Sequence, residues 1–286
     1  MKVLVTGAEG QLGWDVMRTL ESRGIECKGV DRADFDLLDA PAVKSVIAEY
    51  APDVVVHCAA YTAVDRAESE PEVCAGVNGD GTLNVVRAAL NVGAKLVYIS
   101  TDYVFSGEGD DPWTEDASYG AKNVYGLSKA QGEIAVRSLM ERFFILRTSW
   151  VFGVHGNNFV RTMMRLGRER TEIRVVDDQV GSPTYTEDLA RIICDMIMTE
   201  KYGIYHVCNG GYISWAKFAE MIMEKAGLRC QVIPIPSSEY PTPARRPMNS
   251  RLDTSKLKRN GFQLLPDVED ALSRCMREIE REGKNI

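Results

Sequence analysis

Short, nearly continuous apolar runs alternate with helical patterns through the first half of the chain. The runs predict strands buried on both faces, at residues 3–6, 54–56, 96–99 and 143–146. Leu12, Val16 and Leu20 recur at helical spacing, and a second helical pattern over residues 83–91 ends before Gly93. Strands that alternate with helices predict an α/β fold with a doubly wound, parallel sheet of the Rossmann type.

The pattern changes after Trp150. Helical stretches at residues 158–169, 187–199 and 215–226 are separated by turn-rich sequence, and the five prolines of segment 233–248 exclude a helix or a central strand there. We expect residues 1–150 to form a dinucleotide-binding domain that also uses parts of 172–208. Residues 151–286 are expected to form mainly a smaller, partly interleaved substrate domain.

Composition and charge exclude several classes of protein. A net charge of −7 argues against a nucleic-acid partner, because an acidic surface repels phosphate backbones. The seven cysteines contain no C-x-x-C pair, so neither a disulfide framework nor a zinc site is predicted. No run of 18 apolar residues occurs, and the first apolar run is too short for the core of a signal peptide. We therefore expect a cytoplasmic protein with no membrane partner.

Three glycines follow the first predicted strand at a spacing that suits a dinucleotide. Gly7, Gly10 and Gly13 form a G-x-x-G-x-x-G pattern that permits a tight turn, a close approach of the pyrophosphate and packing of the next helix. The N-terminus of that helix offers free N–H groups and a partial positive charge to phosphate. A purely structural turn is the alternative, but the flanking strand and helix favour a cofactor.

Asp31 and Arg32 leave the choice between NADH and NADPH open. Asp31 ends a predicted second strand, where a carboxylate can accept hydrogen bonds from the adenosine ribose and so favours NADH. Arg32 could instead hold the 2′-phosphate of NADPH. We lean to NADH, with a plain strand-end turn as the alternative role of Asp31.

Tyr125 and Lys129 form a Y-x-x-x-K pair, which places both residues on one face of a helix. We expect the ammonium to favour the phenolate and lower the pKa of Tyr125, as suits acid–base chemistry at a carbonyl or alcohol. The spacing alone arises often by chance. Thr101 adds context, because it follows a buried strand, and ligands of doubly wound sheets bind beyond the carboxyl ends of the strands.

In combination these residues resemble the extended short-chain dehydrogenase/reductase superfamily and, more narrowly, the dTDP-4-dehydrorhamnose reductase family. The resemblance covers essentially the whole chain and rests on residues 10–14, 59–65, 67–68, 100–105, 123–126, 147–151, 156–159, 178–179, 181–184 and 240–247. It implies that NADH or NADPH reduces the C4 keto group of dTDP-4-dehydro-L-rhamnose to give dTDP-L-rhamnose. A dTDP sugar would be the substrate, and the enzyme would be a monomer or a homodimer.

The resemblance also implies a role for each matching residue. Tyr125 would donate the proton to the C4 oxygen, Lys129 would hold the nicotinamide ribose, and Thr101 would polarise the carbonyl. The residues implied along the cofactor are Gly10, Gln11 and Leu12 at the pyrophosphate, Asp31 at the ribose, Asp36 and Leu37 at the adenine, and Ala60, Tyr61 and Thr62. The residues implied at the sugar nucleotide are Thr101, Asp102, Tyr103 and Trp150, the last with a core aromatic as its alternative role.

A metal site and several other activities are alternatives to consider beside the reductase hypothesis. Some relatives hold magnesium with a glutamate where Glu187 stands, but one acidic side chain makes an unconvincing octahedral site, so we treat a magnesium ion there as doubtful. A 4,6-dehydratase typically has Asp-Glu after the catalytic threonine, whereas this chain has Asp102-Tyr103. An epimerase, a reductase of a related keto sugar, and a non-catalytic NADP-binding regulatory subunit stay open. Residues 240–247 favour the reductase over the epimerase.

Overall fold

The computed structural model describes residues 1–281 and 283. The strands are β1 (Lys2–Thr6), β2 (Glu26–Val30), β3 (Val54–His57), β4 (Lys95–Thr101), β5 (Phe143–Thr148), β6 (Val151–Phe152), β7 (Glu172–Val176), β8 (Val180–Gly181), β9 (Thr184–Tyr185), β10 (Gly203–His206), β11 (Ile213–Ser214), β12 (Gln231–Ile235) and β13 (Asn249–Ser250). The α-helices are α1 (Gln11–Ser22), α2 (Ala40–Tyr50), α3 (Val64–Ala67), α4 (Pro71–Ala75), α5 (Thr82–Asn91), α6 (Val124–Leu139), α7 (Phe159–Glu169), α8 (Thr186–Met196), α9 (Trp215–Lys225), α10 (Ser255–Arg259) and α11 (Val268–Arg281). None of the described helices is long and apolar enough to cross a membrane.

A six-stranded sheet forms the centre of the fold, in the order β10-β5-β4-β3-β1-β2, and all of its pairings are parallel. Alternate residues of each strand face opposite sides, so Val3 and Val5 pack against α1 and α8 while Leu4 packs against α2 and α5. Both faces are therefore covered, which explains the continuous apolar runs. The predicted doubly wound, Rossmann-type fold is confirmed.

Strands β4 and β5 run further than the sequence predicted. β4 extends through Ser100 to Thr101, and β5 extends to Thr148, because the ladder continues to a Thr101–Thr148 pair. Polar side chains are tolerated at this end, since they border the edge of the sheet where ligands bind. Thr101 is thus the last residue of β4 rather than a residue beyond it.

The chain after Trp150 builds three small sheets beside the central one, with the orders β11-β8-β13, β12-β7 and β6-β9. Helices α7, α9 and α11 share a second apolar core with them. Strand β10 joins the central sheet, whereas β7 pairs with β12 outside it. The proline-rich segment contributes Pro234 to β12, where a proline is allowed because β12 pairs with β7 alone.

The helical chain between residues 71 and 91 contains a π-helical turn that the sequence did not predict. This turn spans Gly76–Gly81 and lies between α4 and α5. Glycines weaken an α-helix, and π-turns often occur at functional sites. Asn78 is the buried polar residue at the middle of this turn.

Candidate active site

A cleft of about 1190 Å³ lies where β1 to β5 end. It brings together residues that are far apart in sequence, as expected for the carboxyl edge of a doubly wound sheet. The predicted site residues that line it are Gly7, Gly10, Gln11, Leu12, Gly13, Asp31, Arg32, Asp36, Leu37, Ala60, Thr62, Thr101, Asp102, Tyr103, Tyr125, Lys129 and Trp150.

The glycine loop fits a cofactor backbone for steric reasons. Gly7 has φ of 66°, and a Cβ atom there would lie 2.7 Å from the backbone of Ala59. A Cβ atom on Gly13 would lie 2.0 Å from the carbonyl oxygen of Gly7. Gly10 caps α1 with no side-chain hydrogen bond, so the first N–H groups of this helix remain available to an anion.

Asp31 connects the glycine loop to the end of β2. Its carboxylate accepts hydrogen bonds from the backbone N–H of Glu9 at 3.0 Å and of Arg32 at 2.9 Å. Asp34 accepts from the backbone N–H of Asp31 at 2.7 Å. Arg32 lines the same end of the cleft, so a carboxylate and a guanidinium are both present where the adenosine ribose is expected.

Tyr61 is the predicted cofactor residue whose side chain lies elsewhere. Its ring packs against Ala67 and Cys74, and its hydroxyl donates to Glu70 at 2.8 Å. The side chain is 8% exposed and is not part of the cleft lining. Its neighbours Ala60 and Thr62 do line the cleft.

Thr101, Tyr125 and Lys129 meet at the centre of the cleft. Thr101 ends β4, while Tyr125 and Lys129 lie one turn apart at the start of α6, which Asn123 caps. Burial raises the pKa of Tyr125 well above its usual value, and the hydrogen-bond interaction with Thr101 opposes that rise. The prediction of a lowered Tyr125 pKa is therefore wrong for this structure, because burial raises it. Burial also lowers the pKa of Lys129 to about 7.

The substrate end of the cleft contains a cation that the sequence analysis missed. Arg246 donates to Asp65 at 2.6 Å and to the Tyr103 hydroxyl at 3.1 Å. The ring of Tyr103 meets the ring of Tyr125 edge-on, with centroids 5.6 Å apart. Residues 240–247 are part of the family resemblance, but only the fold shows that Arg246 is the side chain of this segment that lines the cleft. Asp102 is buried beside Thr101, and burial raises its pKa to about 6.

Glu187 lies outside the cleft, in the first turn of α8. It forms ion pairs with Arg191 and, at 3.4 Å, with Arg274. Within residues 1–281 and 283, no group of three or more His, Cys, Asp or Glu side chains is arranged to hold a metal ion. Glu187 therefore pairs with two basic side chains in this structure.

Comparisons with known proteins show the family of this chain. A family model described as the RmlD substrate binding domain matches residues 1–281. The dTDP-4-dehydrorhamnose reductase of Escherichia coli strain K12 is 39% identical, over 98% of each chain. The chain belongs to the dTDP-4-dehydrorhamnose reductase family.

Two further relatives extend the comparison. The spore coat polysaccharide biosynthesis protein SpsK of Bacillus subtilis strain 168 is 41% identical, over 92% of each chain. The crystal structure of dTDP-4-dehydrorhamnose reductase from Bacillus anthracis, in complex with NADP, superposes with a TM-score of 0.95 at 43% identity. That match covers 97% of this chain and 99% of the other.

A buried network of hydrogen bonds lies next to the cleft, and the sequence did not predict it. The side-chain oxygen of Asn78 accepts from the Tyr61 N–H, and its amide nitrogen donates to the Ser128 hydroxyl at 2.9 Å. Ser128 in turn donates to the carbonyl oxygen of Tyr125 at 2.7 Å. Asn78 thus links the loop at residues 59–62 to the start of α6, which carries Tyr125 and Lys129. An asparagine at this position does not by itself predict such a link, because the link depends on the π-helical turn.

The same network fixes the tautomer of a buried histidine. Thr82 donates its only hydroxyl proton to the carbonyl oxygen of Asn78 at 2.7 Å, so it must accept from Nε2 of His57 at 3.2 Å. Nδ1 of His57 then accepts from Thr6 at 2.7 Å, and Thr6 accepts from the N–H of Ala59. Burial lowers the pKa of His57 to about 3, which keeps the ring neutral. The chain of hydrogen bonds therefore runs in one direction, from the backbone N–H of Ala59 to the π-turn.

Proposed function

We infer that this protein is an NAD(P)H-dependent reductase that converts dTDP-4-dehydro-L-rhamnose to dTDP-L-rhamnose for polysaccharide biosynthesis. The observation that carries the inference is the meeting of Thr101, Tyr125 and Lys129 in a cleft that also contains the glycine loop. Family membership supplies the substrate class. Nothing in the cleft requires a metal ion for this step.

The glycine loop and the start of α1 are the places that would hold the cofactor. A Cβ atom at Gly7 or Gly13 would collide with backbone, so the loop has the close-packed form that lets a pyrophosphate approach its N–H groups. Asp31 and Arg32 would contact the adenosine ribose, and Lys129 the nicotinamide ribose. The bound nicotinamide supplies the hydride.

The protein's own part in the reaction is to hold and move one proton. The Tyr125 hydroxyl donates its proton to the C4 oxygen of the sugar as negative charge develops there. Thr101 hydrogen-bonds to Tyr125 and donates to Asp102 at 3.1 Å, and it would turn its proton toward the sugar oxygen when substrate binds. The ammonium of Lys129 stabilises the phenolate left on Tyr125.

The diphosphate of the nucleotide sugar would bind at Arg246. The cations in the described lining are Arg32, Lys129 and Arg246, and the first two serve the cofactor. Arg246 is held in position by Asp65 and Tyr103, which limits the ordering that binding requires. A guanidinium can contact phosphate oxygens through two N–H groups.

The domain organisation is also a proposal. The nucleotide-binding part comprises residues 1–150 together with α8 and β10, because α8 packs against α1 and β10 extends the central sheet. The remaining small sheets and helices would form the sugar-nucleotide part.

The deciding experiment follows oxidation of NADH and of NADPH in the presence of dTDP-4-dehydro-L-rhamnose generated in place. Wild-type protein should oxidise the cofactor, and Tyr125→Phe should lose at least about 100-fold in kcat, the range for a missing general acid. Tyr50→Phe is the control, because it removes a hydroxyl at the end of α2, outside the cleft lining. Cofactor binding without oxidation by the wild type would overturn the reductase and favour the regulatory subunit.

A further inference from the structure

Trp150 has a backbone conformation that is unusual for a bulky residue. Across residues 1–281 and 283, the non-glycine residues with positive φ are Ala51 and Trp150, and the φ of Trp150 is 50°. Such strain persists only where surrounding structure imposes it, and it concentrates at functional sites. Here the carbonyl oxygen of Trp150 accepts from the N–H of Thr184 at 3.2 Å, and the Ser149 hydroxyl donates to the Ser182 oxygen at 2.6 Å.

The indole of Trp150 is held by contacts on more than one side. Trp215 stacks on it almost in parallel, with ring centroids 3.6 Å apart and an interplanar angle of 10°. Gly181 lies against its other atoms, so that a Cβ atom there would be 2.7 Å from Cε2 of Trp150. Because Trp215 covers one face of the indole, a ligand cannot bind to that face. Trp150 also lines the cleft, so it must do so with atoms that Trp215 leaves uncovered.

Trp215 reaches this place because of how α9 begins. Ser214 caps the helix by accepting from the N–H of Lys217 at 3.0 Å, and its hydroxyl donates to Asp177. The first helical residue, Trp215, is thereby directed to the cleft, where Phe159 borders it at a centroid distance of 4.5 Å. Phe159, Trp215 and Trp150 thus form an aromatic wall of the cleft.

The wall stands next to the reacting groups. Trp150 comes two residues after Thr148, which pairs in register with Thr101 at the ends of β5 and β4. A rotation of the Trp150 ring would therefore change the space into which the keto sugar must fit beside Thr101 and Tyr125. The glycine loop lies between β1 and the start of α1, in another part of the chain, so we expect this rotation to leave it unchanged.

We propose that Trp215 is a positioning residue for the reductase: by stacking on Trp150 it fixes the indole that shapes the sugar end of the cleft. This inference rests on the proposed function. Without the stack, Trp150 can relieve its positive φ, and its ring can leave the orientation that fits the sugar. The expected loss is in kcat/KM for the nucleotide sugar, about 10-fold to 100-fold, since small misplacements have effects of that size. Cofactor affinity should not change.

The test compares Trp215→Leu and Trp215→Phe with Trp113→Leu. Trp113 is a matched control, because it stacks on Phe105 at 4.9 Å and donates its N–H to Asn249, away from the cleft lining. Trp215→Leu should lower kcat/KM with cofactor Kd unchanged, and Trp215→Phe should recover part of the loss. Trp113→Leu should lower the melting temperature without changing KM. Equal kcat/KM in Trp215→Leu and wild type would overturn the proposal.

A double-mutant cycle then tests whether Trp215 acts through Trp150. Trp215→Leu should cost little further kcat/KM in a Trp150→Leu background, because the residue that it positions is already missing. Additive losses would contradict a positioning role. Near-ultraviolet circular dichroism gives a readout without turnover: the stacked indoles should produce a coupled signal that Trp215→Phe removes and that dTDP-L-rhamnose perturbs in the wild type. If the wild type shows that signal yet reduces no keto sugar, the proposed function fails while the stacking stands.

Discussion

The side-chain amide of Asn78 pairs with both backbone polar groups of Tyr61, accepting from its N–H at 2.8 Å and donating to its carbonyl oxygen at 3.0 Å. The same amide donates to Ser128, which holds the carbonyl oxygen of Tyr125. One side chain thus links the loop at residues 59–62 to the start of α6, the two segments to which we assign the cofactor and the catalytic acid. Asn78 is 1% exposed, so water cannot replace these bonds.

Asn78→Ala should therefore impair catalysis beyond its effect on stability. The deleted bonds cost about 1–3 kcal/mol of unfolding free energy, and the freed loop should lower kcat about 10-fold or more. The control is Asn209→Ala, an equally buried asparagine that accepts from the Tyr185 N–H at 2.7 Å and donates to Asp188 at 2.8 Å, outside the cleft lining. Equal kcat in the two variants at equal loss of melting temperature would rule out the role given to Asn78.

Cofactor preference should respond in opposite directions to changes at Asp31 and Arg32. Asp31→Ala removes a carboxylate that repels a 2′-phosphate and accepts from ribose hydroxyls, so it should raise the ratio of NADPH to NADH efficiency. Arg32→Ala should lower that ratio. We expect each variant to change this ratio about tenfold, which corresponds to an interaction free energy of about 1.4 kcal/mol. The measurement is kcat/KM with each cofactor, and parallel changes in both variants would argue against this arrangement.

The predictable parts of the molecule are those encoded in short stretches of sequence. The glycine loop, the strand and helix around it, and the Tyr125–Lys129 pair are each defined by spacing within one element, and the structure places them in one cleft. The roles of the individual residues stay predictions. The pKa of Tyr125 illustrates the limit, because spacing identifies a neighbouring ammonium but not the burial that dominates.

The missed residues depend on contacts between distant segments. Arg246 meets Asp65 across 181 positions, and Trp215 stacks on Trp150 from the start of another helix. The family resemblance implies that Tyr61 lies along the cofactor, yet its ring packs against Ala67 and Cys74. Periodicity and spacing cannot reveal such pairs, since each partner has an ordinary residue type at an ordinary place.

The buried carboxyl group of Asp102 should make stability depend on pH. Burial raises its pKa in the folded state from 3.8 to about 6, so the folded protein binds this proton more tightly than the unfolded chain does. The cost of the buried charge is absent below about pH 4 and fully present above about pH 6, where it amounts to at most about 3 kcal/mol. Asp102→Asn should raise the melting temperature at pH 8 and make little difference near pH 4. A pH-independent difference between the two proteins would refute this assignment.

The ion pair of Glu133 and Arg147 makes the sharpest prediction for stability. Both side chains are almost fully buried, and the guanidinium contacts the two carboxylate oxygens at 2.9 and 2.7 Å. Ser100 and Tyr119 also donate to Glu133, which lies one turn beyond Lys129. Glu133→Gln leaves a buried guanidinium without its counter-charge, so it should lower the free energy of unfolding by about 3–5 kcal/mol, measured by urea denaturation.

The control is the exposed pair of Arg165 and Glu169, whose atoms are 3.0 Å apart. Glu169→Gln should cost only about 0.3–0.5 kcal/mol, because water screens an exposed pair on one helix. Replacing both buried partners, as Glu133→Leu with Arg147→Met, should recover most of the loss, since two apolar side chains leave no charge to solvate. If the double variant is instead less stable than Glu133→Gln, the hydrogen bonds from Ser100 and Tyr119 matter more than the charge. The end of β4 beside Thr101 would then be held by Glu133 as an acceptor, and the loss of stability should be accompanied by a loss of kcat.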